Sequence, residues 1–151
     1  MMLFRRDGDA ATSAALPEPT PADEARMLRD LLAQCYDQIN SNAGRIPADA
    51  VLTALHICDL LRETVHVDPD HTLDVRTVVS LERMLADYLP TTLRTYLAVG
   101  PTGSDALREQ LDALVDGASD IRADARQRDS DAMVAQTAFL RTKFSGSDLD
   151  L

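Results

Sequence analysis

The sequence predicts an all-α protein: an antiparallel bundle of four helices with a long C-terminal helix and a proline-kinked third helix. Three observations predict it. Aliphatic residues recur every three or four positions through most of the chain, and no sustained run shows the alternation that builds sheets. Leu and Ala, both strong helix formers, supply most of the 45% of residues that are hydrophobic. Turn residues interrupt the pattern at Gly44, at Asp68-Pro69-Asp70 and at Gly100-Pro101-Thr102-Gly103, which divides it into four segments.

Residues 1–20 run to a Pro-rich stretch with few large apolar side chains after Phe4, and read as a disordered tail. The first helix is expected over about residues 21–42. Thr20-Pro21-Ala22-Asp23 offers a hydroxyl at the N-cap, proline at N1 and a carboxylate at N3, and Leu28, Leu31, Leu32, Cys35 and Ile39 form the apolar stripe. The second begins at Pro47-Ala48 and runs to about Val65 on the stripe Val51, Leu55, Cys58, Leu61 and Val65. The short Gly44 connection makes it antiparallel to the first.

The third helix opens between Thr72 and Val75 and carries Val78, Leu81, Leu85, Leu89, Leu93 and Tyr96 on one face. Pro90 lies inside that pattern. It lacks an amide proton and its ring strikes the carbonyl of Ala86, so a kink or a break is expected, with a fresh turn from Pro90 to Val99. The last helix runs from Ser104 to about Phe144, roughly 60 Å if straight. Its seam is heptad-like: Leu107, Leu111, Leu114, Ala118, Ile121, Ala125, Arg128, Ala132, Ala135 and Phe139. The alanines and Gly117 make the middle of that seam thin, and so long a helix is expected to overhang the bundle. The domain thus spans residues 21–144, and residues 145–151 form a disordered acidic tip whose Leu149 and Leu151 are candidate docking residues.

The formal charge of −10, with Lys143 as the single lysine, repels phosphate backbones and argues against nucleic-acid binding. No apolar run approaches the roughly 20 residues of a membrane span, so stable insertion is not expected. Cys35 and Cys58 are too few for a disulfide framework and no export signal precedes them, which points to the cytoplasm. Both lie on apolar stripes, at similar levels once the first two helices fold back, and read as reduced core residues rather than a redox pair.

Helix 2 holds the one arrangement with metal-ligand spacing. His56, Asp59, Glu63 and His66 share a face, and Glu63-Thr64-Val65-His66 is a Glu-x-x-His element. A di-metal bundle needs a second such element, and the long helix contains no histidine; His56, Glu63 and His66 are therefore weak candidates, with a solvated polar face the simpler reading. His71 with Asp68, Asp70 and Asp74 offers donors for an adventitious ion in the turn. Neither a nucleophile elbow nor a phosphate-binding loop is present, so no catalytic residue and no cofactor is assigned.

The segment from Leu81 to Leu97, with Asp87-Tyr88-Leu89-Pro90-Thr91-Thr92-Leu93 at its centre, resembles the signature of the XpaC-like family, and Leu107–Leu114, Ile121 and Ala138–Phe144 are similar to that family's closing helix. The likeness covers about residues 75–144. It implies an all-helical protein associated with 5-bromo-4-chloroindolyl phosphate hydrolysis and toxic-anion (tellurite) resistance, and it supplies no catalytic residues. The hydrophobic N-terminal anchor of many relatives is lacking here. The expectation is a non-enzymatic interaction or scaffold protein, in a stress-response setting, that binds an unidentified protein partner or itself. Asp87, Tyr88, Pro90, Thr91 and Arg128 are the candidate contact residues. The alternative is a metal- or oxyanion-binding protein of tellurite resistance.

Overall fold

The structure, a computed structural model, describes residues 15–66 and 72–145. Most of the expected N-terminal tail, the acidic tip with Leu149 and Leu151, and Asp68, Asp70 and His71 lie outside these residues. Helix α1 (Pro21–Ser41) starts at the expected capping box: the Thr20 hydroxyl accepts from the Asp23 amide at 3.2 Å and the Asp23 carboxylate accepts from the Thr20 amide at 3.1 Å. A 3₁₀ turn (Ala43–Arg45) leads into α2 (Ala48–Val65). Helix α3 (Val75–Arg83) is capped by Asp74, whose carboxylate accepts from the amides of Arg76 and Thr77 at 3.0 and 3.2 Å.

Pro90 neither ends the helix nor leaves a gap. Helix α3 passes through a π turn (Met84–Tyr88) directly into α4 (Leu89–Val99), so the three form one rod, the third of the bundle's four. The Leu89 amide bonds to the Met84 carbonyl, five residues back rather than four. This wider turn carries the proline ring past the carbonyl it would strike in a regular helix. Gly100, with φ of 83°, then stops the rod, and a 3₁₀ turn (Pro101–Gly103) reverses the chain into α5 (Ser104–Ser145).

Consecutive helices run antiparallel, and side-chain pairs establish who lies beside whom. Tyr36 of α1 donates to Asp59 of α2 at 2.5 Å. Arg108 and Arg122 of α5 pair with Asp49 and Glu63 of α2, so both partners advance together and these two helices are parallel neighbours. Cys35 and Gln38 of α1 meet the backbone of Leu85 and Pro90, which makes α1 and the third rod parallel neighbours as well. Helix α2 therefore sits diagonally across from the third rod, with its most extensive packing against α5.

The stripes read from the aliphatic pattern face the core, with one rotation. In α2 Val51 and Leu55 are only half-buried, while Ala50, Ala54 and Ile57 are fully buried. Small side chains there and at Ala118 of α5, also without exposed surface, let the two backbones approach closely. Gly117, next to it in α5, faces the third rod, and a Cβ added there would meet only the terminal methyl of Met84, at 3.2 Å. Gly117→Ala is expected to raise stability by about 0.5–1 kcal/mol, because the flexible Met84 side chain gives way while the helix gains a better former. Urea denaturation checks it; a loss of stability would show that Met84 is held rigidly.

Candidate interaction surface

Two surfaces stand out, one made by the π turn and one by the end of α5. At the π turn the backbone itself is short of donors. The Leu89 amide that would serve the Leu85 carbonyl in an α-helix goes to Met84, and residue 90, which would serve it in a π pattern, has no N–H. The buried thiol of Cys35 supplies the bond instead, donating to the Leu85 carbonyl at 3.1 Å, and Gln38 donates to the Pro90 carbonyl at 3.3 Å. Cys58 lies beside Cys35 with no exposed surface; its thiol is pushed up by the neighbouring Cys35 sulfur and by burial, so it stays protonated. Both cysteines are free.

The outer side of the same turn carries Asp87, Tyr88 and Thr91. Thr91 donates to Asp87 at 3.1 Å and accepts from Arg94 at 3.1 Å, and Tyr88 is 46% exposed. These three sequence candidates do share one exposed patch, while Pro90 is half-buried beneath it.

Arg128 sits elsewhere and is engaged within the chain: its guanidinium bonds to the Asp74 carboxylate and, at 2.7 Å, to the Thr77 hydroxyl. The α5 seam thereby ends on the N-cap of α3. Glu63 is likewise occupied, by Arg126 at 2.9 Å and Arg122 at 3.4 Å, beside an open groove of about 450 Å³ between α2 and α5. His56 and His66 are exposed, and the described residues contain no group of three or more His, Cys, Asp or Glu placed to hold a metal ion.

Beyond Arg128 every residue from Asp129 to Ser145 is exposed, a projection of about 25 Å. It carries Met133 (73% exposed), Val134, Phe139, Leu140 and Phe144, with Lys143 over the Phe139 ring at 5.9 Å. Met133, Thr137, Leu140 and Phe144 are spaced four, three and four, which lines them up on one face. A shallow groove of about 410 Å³ lies to one side of that face, lined by Ser130, Met133, Val134, Thr137, Ala138 and Arg141. Counting only the core-facing seam hides this second stripe; its spacing, and the lack of any acidic residue from Ala132 to Ser145, are the signals that reveal it.

No family model, curated protein or solved structure matches this chain. Among the described residues, no helix is long and apolar enough to cross a membrane.

The carboxylates that tie the bundle give it an acid limit. For Asp74 burial works to raise the pKa, but the Thr77 and Arg128 hydrogen bonds outweigh it and hold the group below its ordinary 3.8; Arg108 does the same for Asp49, and Thr20 for Asp23. A carboxylate depressed on folding adds stability above its unfolded pKa and loses it as pH falls through the folded value. The urea midpoint is therefore expected to hold between pH 7 and 5 and to fall below about pH 4. Asp74→Asn should flatten part of that fall, and an unchanged profile would remove Asp74 from the account.

Proposed function

We propose that the protein is a non-enzymatic interaction or scaffold protein that binds another protein, or itself, through the projecting end of α5, with the patch at the π turn as a second contact. The observation that carries this reading is the apolar stripe Met133, Leu140 and Phe144, left exposed on the end of α5 among the described residues. Large exposed apolar side chains gathered on one face cost solubility unless a partner covers them. The likeness of Leu81–Leu97 to the XpaC-like signature fits a stress-response setting.

The test is affinity capture from native lysate with the full chain and with Leu140→Glu. A partner retained by the first and lost by the second is expected; identical retention by both removes α5 from the role. Calorimetry with tellurite and with zinc separates this reading from metal or oxyanion binding. Stoichiometric binding that disappears in a Glu63→Gln or His66→Ala variant would displace the interaction role in favour of the second.

A further inference from the structure

Cys35 and Cys58 are the chain's two thiols, and neither contact surface uses them. They come from adjacent helices and occupy one layer of the bundle. The Tyr36 hydroxyl donates to the Asp59 carboxylate at 2.5 Å, and one residue back along each of these antiparallel helices stand Cys35 and Cys58, offset by about 3 Å along the axis. Both are buried in the core, with 2% and 0% of their surface exposed. The Cys58 thiol holds Cys35 below the ordinary thiol pKa, against the opposing effect of burial, which makes Cys35 the readier nucleophile of the two. Packing and hydrogen bonding do not by themselves ask for two thiols. Alanine meets the same close approach one turn earlier in α2, at Ala54, and a serine hydroxyl would be the stronger donor to the Leu85 carbonyl. What the pair adds is a bond of its own.

We propose that the pair is a peroxide-sensitive switch: a disulfide between Cys35 and Cys58 ties α1 to α2 and releases the π turn of the third rod. The oxidant is hydrogen peroxide, small enough to reach a buried pair. The Cys35 sulfur attacks one peroxide oxygen, the O–O bond breaks, and the other oxygen leaves as water with the Cys35 thiol proton; Cys35 is left as a sulfenic acid. The Cys58 sulfur then attacks the Cys35 sulfur, the S–O bond breaks, and the hydroxyl leaves as water with the Cys58 proton. The two thiols together lose two electrons and two protons, and one peroxide becomes two waters. The structural consequence follows from a single proton. The thiol hydrogen of Cys35 is the one that serves the Leu85 carbonyl, at 3.1 Å, and a disulfide has none to give. Pro90 offers no amide in its place. The carbonyl is then buried without a donor, which loosens the turn from Met84 to Tyr88 and, with it, the outer patch of Asp87, Tyr88 and Thr91. The switch stands on the core geometry and does not depend on whether that patch binds a partner.

Titration of the full folded chain with hydrogen peroxide is the test, read by peptide mapping without reductant and by hydrogen exchange on the same samples. The expected result is one linked peptide pair containing Cys35 and Cys58, lighter than its reduced form by two hydrogens, together with exchange of the amides between Met84 and Thr92 about tenfold faster; dithiothreitol reverses both. Cys58→Ala undergoes the same methionine oxidation but cannot form the bond, so exchange over that segment should not respond. Pro90→Ala separates the two halves of the proposal: the disulfide should form as before, while the restored amide at residue 90 keeps the segment protected. A pair that stays reduced in the folded chain, or that links only in denaturant, would overturn the proposal. So would a linked parent chain whose exchange between Met84 and Thr92 is unchanged, or a disulfide that loosens Pro90→Ala as much as the parent.

Discussion

Leu111→Ala is expected to destabilise the protein by about 2–5 kcal/mol, while Leu140→Ala, the same change in the same helix, should alter stability by no more than about 0.5 kcal/mol. Leu111 has no exposed surface and packs within the bundle; Leu140 lies on the projection with 41% of its surface exposed. Removing the first leaves a cavity that neighbours held by three other helices cannot fill. Removing the second leaves only water where water already was. The readings that matter differ accordingly: urea denaturation reports on Leu111, and association reports on Leu140. Equal losses of stability from both would mean that the projection packs on its own bundle, and would undo the interaction reading.

Cys35→Ala should cost about 2–4 kcal/mol, more than the lost methylene-sized volume explains, because it strips the Leu85 carbonyl of its donor inside the core. Pro90 is the reason that the carbonyl needs a side chain at all. Pro90→Ala restores an amide at residue 90, which the five-residue pattern of the π turn aims at the Leu85 carbonyl. In that background Cys35→Ala is expected to cost about 1 kcal/mol less, and a double-mutant cycle measures the difference directly. Strict additivity would show that the carbonyl finds another donor and that the thiol acts by packing alone.

The two cases mark where local pattern suffices and where it does not. The capping box at Thr20 and Asp23, the stop at Gly100 and the buried stripe from Val78 to Tyr96 all follow from neighbours within one turn of helix, and each is found where the pattern places it. Pro90 announces a disturbance in the third helix. Its form, a π turn served by Cys35 and Gln38, depends on groups more than 40 positions away. Heptad spacing places Arg128 on the α5 seam, and only the fold shows that Asp74 and Thr77 receive it there. Met133, Leu140 and Phe144 escape the heptad pattern for a related reason. Their stripe has helical spacing, but spacing alone does not say which of two apolar faces the bundle covers.

By itself the sequence determined the number of helices, their ends, most of their buried faces and the excess length of α5, because capping, turn chemistry and amphipathic period act over a few residues. The tertiary structure alone decided that α5 lies parallel beside α2, that α2 stands diagonal to the third rod, and that the bundle runs out at Arg128. Aliphatic stripes accept one another almost interchangeably; the choice among partners falls to small residues such as Ala54 and Ala118 that admit a close backbone, and to pairs such as Arg108 with Asp49 that fix the direction of approach.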